Sequence, residues 1–547
     1  MREKTMASTR TNPRARLGRD RRANALCLGI WVLLTGTVSS AQVQPADRSG
    51  VGGMRFTVRI DRGRDLGQNF GSLFEVPSAD GALVLGAGFQ GAYNTYHRAD
   101  RHALSFFIRP TDGERDVTAE RLPRPSEEAG TYLFDFDGTL YSSGQKLRSW
   151  NETERRWQDV PDTGDGRMRL GDGVLSFGSN RVDYNDQQIL TPPAEGSYSH
   201  FYYAQGRLFF YHTFFADNKD YRVHEAGDRG FSKLYACPWP PGSDCAVELT
   251  NAAVLTLPVV GEIPFAYGQL GQDVVTCSNI GGFYAFDGRA WKTLVEPDIK
   301  TSYQIYSMVN FYERLLMGQY PTGWLFEYDG ERVTQLEDWP PRIEGVSASA
   351  REAQTAAIYG GDLFIGVWPW GELWRYSHDT DRWTFVDRMF SHPAVSDETT
   401  HPYERECVAH GLVLNQWGQR VTGLVPMGDS LMVSTSAKWP CEWKPEFEFL
   451  GDDKWKEYGA VVRLKMPGNL CAPIGWTDGP TEIVCTVGGG EMSVTQDGKL
   501  LASAKLSEFL ASRIAACSGL GEVGWGRGAF GLYGGVSLDG AVEVDTD

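Results

Sequence analysis

Two stretches of this chain repeat one another closely. LLMGQYPTGWLFEY covers Leu315–Tyr328 and LFIGVWPWGELWRY covers Leu363–Tyr376, in register at an offset of 48 residues. Each copy consists of an apolar strand, a short turn with Pro and Gly, and a second strand with alternating apolar residues. Antiparallel strand pairs that return about every 40 to 50 residues are typical of the four-stranded blades of a β-propeller. The repeat therefore predicts an all-β fold built from blades.

Further copies of the pattern extend over most of the chain. Trp150 and Trp157 stand in one of them where Tyr376 and Trp383 stand in the second stretch above, with the same turn length. Together the copies predict a seven- or eight-bladed β-propeller over residues 71–466. The additional copies lie at 71–120, 131–157, 166–192, 200–239, 273–288 and 420–466.

The ends of the predicted strands show a second regularity. A strand ends in Gly, and the next strand carries an aromatic residue and Asp before a turn, as in Phe286-Asp287-Gly288 and Tyr328-Asp329-Gly330. At these repeats the chain resembles the kelch and galactose-oxidase type of propeller. The resemblance implies the propeller architecture.

The C-terminal residues form a small β-rich segment of a different kind. Residues 481–503 and 520–544 resemble the closing half of a concanavalin-A-like or laminin-G sandwich. This segment is expected either to pair with the strand Met54–Ile60 as an accessory sheet or to complete the last blade. The predicted domains are a signal peptide at 1–41, an N-terminal segment with one strand at 42–70, the propeller at 71–466 and the C-terminal segment at 467–547.

The N-terminus has the pattern of an export signal. Arg21 and Arg22 precede the apolar run Ala25–Leu34, and small residues lead up to Ala41. Because the run is too short to cross a bilayer, it predicts a signal peptide that is cleaved after Ala41. No later segment is apolar enough to span a membrane, so we expect a periplasmic, extracellular or cell-surface protein.

Export decides how the cysteines are interpreted. Of nine cysteines, Cys27 is removed with the signal peptide, and the remaining eight are an even number that permits disulfides. Cys237 and Cys245 flank a short Pro-rich loop and are predicted to form a bridge. Buried free thiols are the alternative for the other cysteines. No C-x-x-C spacing indicates a zinc site or a redox pair.

The charge of the chain argues against some partners. The formal net charge is −17 at pH 7, and no run of Lys or Arg follows the predicted signal peptide. Such a surface repels the phosphates of nucleic acid and of anionic lipid. We therefore expect no nucleic-acid partner. The other expectations about partners are a polysaccharide or oligosaccharide ligand, no membrane span and a monomeric protein.

Two long loops carry the residue types that acid–base chemistry needs. The loop Gln90–His102 combines a histidine, a phenol and a cation, which together can move a proton from a carbon acid and stabilise the enolate. A second loop of similar composition follows the strand that ends at His212. The structural alternative is that both are ordinary polar loops held by their own hydrogen bonds. The predicted catalytic residues are Tyr96, His97, Arg98, Tyr211, His212 and Arg222.

A third stretch, Phe390–Trp417, is rich in His and Glu. Their spacing matches no zinc or calcium signature. No metal site and no cofactor are therefore predicted, and a structural metal in this stretch lacks a supporting motif.

Aromatic residues occupy equivalent turns of the two repeated stretches. Sugars stack their C–H faces on exposed rings of this kind, whereas packing between blades is the structural alternative for Trp. The predicted substrate-binding residues are Tyr93, Asn94, Gln319, Tyr320, Arg351, Trp368 and Trp370.

Three functions are compatible with this architecture. Propeller polysaccharide lyases use His, Tyr and Arg at the channel mouth to abstract the C5 proton of a uronate, and the set His97, Tyr96 and Arg98 looks similar in residue type. The leading hypothesis is therefore a polysaccharide lyase that cleaves uronate-containing glycans by β-elimination. The alternatives are a non-catalytic glycan-binding or cell-surface interaction propeller, and a glycoside hydrolase with two carboxylates.

Overall fold

The computed structural model shows a chain built almost entirely of antiparallel β-strands. The structure describes residues 53–94, 97–98, 100–112, 116–163, 166–215, 224–225, 230–243, 246–477, 479–526, 528–531 and 543–545. The predicted signal peptide, Tyr96, Arg222 and Cys245 lie outside these residues.

The two repeated stretches occupy equivalent positions in neighbouring sheets. Leu315 pairs with Tyr328 in one sheet, and Leu363 pairs with Tyr376 in the next. The apolar side chains of these strands are buried between the sheets. The predicted register is therefore confirmed.

Seven antiparallel sheets, named blades 1 to 7 below, follow one another in the described residues; six have four strands, and the sheet of blade 5 has four blade strands and two further short strands. In blades 1 to 6 the first strand in sequence lies innermost, and in blade 7 the innermost strand is Gln419–Met427. Contacts between innermost strands join most neighbouring blades, a shared apolar core joins blades 2 and 3, and blade 7 contacts blade 1. The sheets thus form a closed ring, which establishes the all-β propeller.

The blades consist of the following strands. Blade 1 is Tyr132–Phe136, Thr139–Ser143, Arg148–Asn151 and Arg156–Asp159; blade 2 is Arg167–Leu170, Gly173–Gly178, Arg181–Tyr184 and Gln187–Gln188; blade 3 is Ser197–Ala204, Arg207–Phe215, Gly230–Pro238 and Ala253–Thr256; blade 4 is Pro264–Leu270, Asp273–Ser278, Phe283–Phe286 and Trp291–Val295. Blade 5 is Gln304–Asn310, Leu315–Tyr320, Leu325–Tyr328 and Val333–Leu336; blade 6 is Glu352–Tyr359, Asp362–Trp368, Glu372–Ser377 and Arg382–Arg388; blade 7 is Gln419–Met427, Ser430–Ala437, Val461–Lys465 and Thr118–Leu122.

Blade 7 is completed by a strand from the other end of the propeller sequence. Thr118–Leu122 pairs antiparallel with Val461–Lys465 as the outermost strand. Since the first and last strands share one sheet, neither end of the propeller can leave the ring without breaking a ladder of hydrogen bonds. Residues that precede blade 1, and not the C-terminal segment, therefore finish the last blade.

The residues on either side of the propeller form a two-sheet sandwich. Met54–Ile60 pairs with Thr481–Gly488, which is the accessory sheet considered from the sequence. The facing sheet contains the strands between residues 72 and 110, and both sheets bury their apolar side chains in one core. The propeller therefore starts at residue 118, which corrects the predicted start at residue 71.

The strand order in the sandwich mixes both ends of the chain. One sheet runs Lys499–Lys505, Glu491–Gln496, Thr481–Gly488, Met54–Ile60 and Glu543–Asp545; the other runs Asn469–Pro473, Ala103–Pro110, Leu83–Phe89, Ser72–Pro77 and Gly524–Trp525.

Helices are few and short. The α-helices are Glu404–Ala409, Asp452–Trp455 and Glu508–Ala516, the 3₁₀ turns are Leu249–Asn251 and Pro445–Phe447, and a separate two-strand pair joins His224–Glu225 to Val259–Val260. Within the described part of the chain, none of these helices has the length and apolar character that crossing a bilayer requires.

One arginine fastens the sandwich to the propeller. Arg109, on a sandwich strand, is fully buried and pairs with Asp379 at 2.7 Å and with Glu75 at 3.1 Å. It also donates to the carbonyl of Gly361 at 2.6 Å and to the hydroxyl of Tyr312 at 3.0 Å. Because these partners come from the sandwich and from turns of blades 5 and 6, one side chain links three parts of the fold.

A short hairpin from the sandwich enters the centre of the ring. Ala92–Asn94 pairs antiparallel with the innermost strand of blade 5, and His97–Arg98 pairs back onto it. The hairpin also contacts the innermost strands of blades 1, 4 and 6. It therefore occupies the propeller channel, and we name the two strands Ala92–Asn94 and His97–Arg98 the channel hairpin.

Candidate functional site

The first predicted loop is anchored inside the channel. The buried Asn94 side chain donates to the carbonyl of Ala356 at 3.2 Å and accepts from the amide of the same residue at 2.8 Å. The Tyr93 hydroxyl donates to the carbonyl of Phe265 at 3.4 Å. Both side chains thus attach the channel hairpin to neighbouring blades. These hydrogen bonds agree with the structural role that was considered as the alternative to substrate binding.

The backbone of the channel hairpin brings two predicted catalytic residues to the channel. His97 pairs with Asn94, and Arg98 pairs with Tyr93. Tyr96, the third member of the predicted set, lies outside the described residues. Their catalytic role stays a prediction.

Charged residues that follow the channel hairpin hold the sandwich against blade 2. The buried carboxylate of Asp65 accepts from Arg101 at 2.7 Å, from the amide of Gly171 at 2.7 Å, and lies 3.1 Å from His102 Nε2. Burial lowers the pKa of His102 to about 4, so this imidazole is neutral at physiological pH. These polar residues are therefore structural.

Two buried carboxylates meet beside the channel hairpin. The amide of Asp100 donates to Asp135 at 3.2 Å, and the amide of Asp137 donates to Asp100 at 3.1 Å. Arg169 pairs with Asp100 at 3.0 Å. Burial, and secondarily the nearby charge of Asp100, raise the pKa of Asp135 to about 7. A cavity of about 50 Å³ adjoins both carboxylates.

The second predicted set is not assembled into a site by the described residues. Tyr211 is buried, and its hydroxyl shares a hydrogen bond of 3.0 Å with Ser232. His212 Nε2 lies 3.0 Å from the carbonyl of Glu195, and burial lowers the pKa of its imidazole. Successive residues of a strand point to opposite faces, so Tyr211 and His212 face different neighbours. Arg222 lies outside the described residues.

The predicted aromatic platform is packed inside the protein. Trp368 and Trp370 are 2% and 1% exposed, which matches the alternative of packing within the fold. Gln319 and Arg351 are buried as well, and an ion pair holds the Arg351 guanidinium. Tyr320 keeps partial exposure. The two predicted indoles, Trp368 and Trp370, are therefore not accessible for stacking on a sugar.

The predicted disulfide involves a buried thiol. Cys237 lies in the core and forms no disulfide with another described cysteine, and burial raises the pKa of its thiol to about 12. Its predicted partner Cys245 lies outside the described residues, so the bridge stays a prediction.

Exposed tryptophans occur instead in a long connection of blade 7. Residues 438–460 join its second and third strands, where compact blades need only a few residues. Trp439 and Trp443 in this connection are 55% and 45% exposed. Exposed indoles are unusual on a soluble surface and mark binding sites when they adjoin a concavity.

Trp443 forms one wall of such a concavity. A surface groove of about 440 Å³ lies between this connection and the edge of blade 1, and we name it the Trp443 groove. The Trp443 ring packs edge-on against Trp455, with centroids 5.2 Å apart and an interplanar angle of 84°. Trp455 in turn packs against Trp417 and Phe447 in the core of blade 7. The core therefore holds the exposed indole in place.

Polar side chains complete the rim of the Trp443 groove. Gln145 donates to Glu442 at 3.2 Å across it. Lys146 and Arg148 both bind Asp159, at 2.7 and 2.8 Å. The groove thus combines an aromatic wall with hydrogen-bonding and charged groups, which is the composition of a site for a polar ring such as a sugar.

Sequence analysis missed this groove because its walls come from separate connections. Gln145, Lys146 and Arg148 belong to blade 1, whereas Glu442 and Trp443 are about 300 residues further along the chain. The available signal was the segment KWPCEWKPEF, which places two Trp and two Pro close together inside an insertion longer than a compact blade needs.

The His- and Glu-rich stretch is used for packing. The His401 ring lies 4.9 Å from the ring of Trp368, and the His410 ring lies 5.4 Å from that of Phe449. Among the described residues, no group of three or more His, Cys, Asp or Glu side chains is placed to hold a metal ion.

Comparisons with known proteins add similarities of fold. No protein-family model and no curated protein matches the chain, so the resemblance to kelch-type propellers stays a prediction. Among solved structures, the chain is similar to the computationally designed protein Ika8, with a TM-score of 0.33 and 11% identity over 74% of this chain and 99% of that one. It is also similar to BamB from Moraxella catarrhalis (TM-score 0.28, 9% identity, 69% and 97% of the two chains) and to a puromycin-hydrolyzing peptidase from Mycobacterium tuberculosis (TM-score 0.30, 12% identity, 59% and 54%).

Proposed function

We propose that this protein is an exported propeller that binds a polysaccharide or oligosaccharide in the Trp443 groove. The observation that carries the proposal is the half-exposed indole of Trp443 on the wall of a groove of about 440 Å³. This volume lies within the range of ligand sites in proteins, about 300 to 1,000 Å³.

The side chains of the groove match the two surfaces of a sugar ring. The flat indole of Trp443 suits the apolar C–H face of a pyranose, while Gln145 and Glu442 supply a donor and acceptors for its hydroxyls. Trp455 already holds the indole, so little side-chain entropy is lost on binding. These features favour the glycan-binding alternative.

Replacement of Trp443 by Ala should weaken glycan binding about 30-fold, the scale of a binding hot spot worth about 2 kcal/mol. Titration calorimetry with neutral, amino-sugar and uronate oligosaccharides measures the effect. Trp439→Ala is the matched control, since Trp439 is equally exposed in the same connection but does not line the groove. We expect the Trp439→Ala variant to bind the glycan with an affinity within about twofold of the wild type. Binding by no glycan of the panel, or unchanged affinity of Trp443→Ala, would contradict the proposal.

β-Elimination of uronate glycans is the second candidate function. One observation favours it: the channel hairpin carries His97 and Arg98 into the ring centre, where propeller active sites gather. A histidine there has the residue type of a general base, and an arginine that of a partner for a uronate carboxylate.

If this second candidate is correct, His97→Ala should lower turnover about 100-fold, the effect of losing a general acid or base. The assay is the ultraviolet absorbance of the unsaturated product released from uronate polysaccharides. His410→Ala is the control, because His410 is an exposed histidine of the blade 7 region. Wild-type protein that releases no unsaturated product from any uronate polysaccharide would rule this candidate out.

A further inference from the structure

The cationic side chains around the Trp443 groove are paired with opposite charges more fully than the anionic ones. Its two cations, Lys146 and Arg148, share the carboxylate of Asp159 at 2.7 and 2.8 Å. The hydrogen bonds of these two cations hold the Asp159 pKa below its usual range, which keeps this carboxylate ionised. The positive charge of the rim is therefore largely engaged before a ligand arrives.

The carboxylates of the groove are less engaged. Glu442 accepts from the uncharged amide of Gln145 at 3.2 Å, and Glu127 meets the Arg124 guanidinium only at 3.8 Å. The Glu127 side chain is almost fully exposed, and Glu128 adds a third carboxyl to the lining. The rim next to the exposed indole thus carries an excess of negative charge.

We propose that the Trp443 groove selects an amino-sugar polymer with free amino groups over a uronate polymer. This inference rests on the proposed glycan-binding function and names the substrate class of the same groove. An ammonium group on a ring stacked over Trp443 gains a cation–π contact, and it donates charge-assisted hydrogen bonds to Glu442 or Glu127. A uronate carboxylate would instead meet like charge at the rim.

The charge of the whole molecule acts in the same direction. A formal net charge of −17 attracts a cationic polymer over the distance of the Debye length and repels an anionic one. The selectivity should therefore decrease as the salt concentration rises, whereas the stacking contribution of Trp443 should persist.

The test compares three oligomers of equal length: glucosamine, N-acetylglucosamine and galacturonate. Titration calorimetry with the full chain at low salt, below the pKa of the sugar amine, should show the glucosamine oligomer binding about 10-fold tighter than the acetylated one. Glu442→Gln should remove most of this preference by lowering the affinity for the glucosamine oligomer, because the amide carries no charge to pair with the ammonium group. Glu446→Gln, an exposed glutamate of the same connection outside the groove lining, is the matched control and should keep the preference.

The outcomes separate this inference from the function on which it rests. Equal binding of the free and acetylated oligomers, with both weakened by Trp443→Ala, would overturn the amino-sugar preference and retain glycan binding. Preferred binding of the galacturonate oligomer would overturn it as well. Binding of none of the three oligomers would count against the amino-sugar inference, and the wider glycan panel would then decide the proposed function.

Discussion

Replacing Arg109 by Met should lower the free energy of unfolding by about 3 to 5 kcal/mol, the scale found when one partner of a buried ion pair is removed. Met has a similar length but cannot pair with Asp379 and Glu75, which lie at 2.7 and 3.1 Å from the guanidinium. The Gly361 carbonyl would also lose its donor. Denaturant unfolding followed by tryptophan fluorescence measures the change.

Arg59→Met provides the matched comparison for Arg109→Met. The Arg59 side chain is 74% exposed and pairs with Glu482 at 3.0 Å on the surface of the sandwich. Exposed ion pairs contribute about 1 kcal/mol or less, so this variant should unfold almost like the wild type. Equal unfolding midpoints of the two variants would show that Arg109 does not join sandwich and propeller in the way described.

Replacing Asp135 by Asn should stabilise the protein above pH 7 and leave it unchanged near pH 4. The folded-state pKa of Asp135, about 7, lies above the ordinary value of 3.8, so the folded state binds its proton more tightly than the unfolded state. The bound proton therefore stabilises the folded wild type at low pH, and this contribution is lost as the pH rises through about 7. Asn is neutral at every pH, so the variant does not lose this stabilisation. At about 1.4 kcal/mol per unit of pKa difference, its free energy of unfolding should exceed that of the wild type by up to about 4 kcal/mol in alkaline solution.

Melting temperatures between pH 4 and pH 9 test the Asp135 prediction. Asp137→Asn is the control, because Asp137 follows on the same hairpin, is 65% exposed and pairs with Arg169 at 2.6 Å. Removing the Asp137 carboxylate should not produce a gain in melting temperature over the wild type that increases with pH. A constant difference between Asp135→Asn and the wild type across this range would mean that Asp135 is ionised throughout.

The blade pattern was predictable because it is local. Alternation with a period of two, a tight turn and an aromatic at a set position recur within each stretch, so the pairing of Leu315 with Tyr328 follows from the chain itself. The strands between residues 72 and 110 are also recognisable as strands from their apolar residues, and nearly all of their positions are buried. Alternation identifies a strand with a buried face but not the sheet that buries it, and these strands pack on the C-terminal sheet instead.

Candidate residues were predictable by type but not by environment. Trp370 and Trp439 are both indoles in connections of the propeller, and only burial distinguishes the first, in the core, from the second, on the surface. Burial depends on what packs over a turn, and that comes from other parts of the chain. Likewise, Asp135 has no unusual sequence context, and its raised pKa comes from burial beside Asp100.

Strand and turn preferences act between residues close together in the chain, so an all-β chain of repeated antiparallel units could be predicted from the amino acids alone. Three features are visible only in the folded chain: Thr118–Leu122 fastens the ring, the strand with His97 enters the channel, and Trp443 faces Gln145 across a groove. These three features join residues far apart in sequence. Ring closure and core packing bring them together, and neither has a local signature in the sequence.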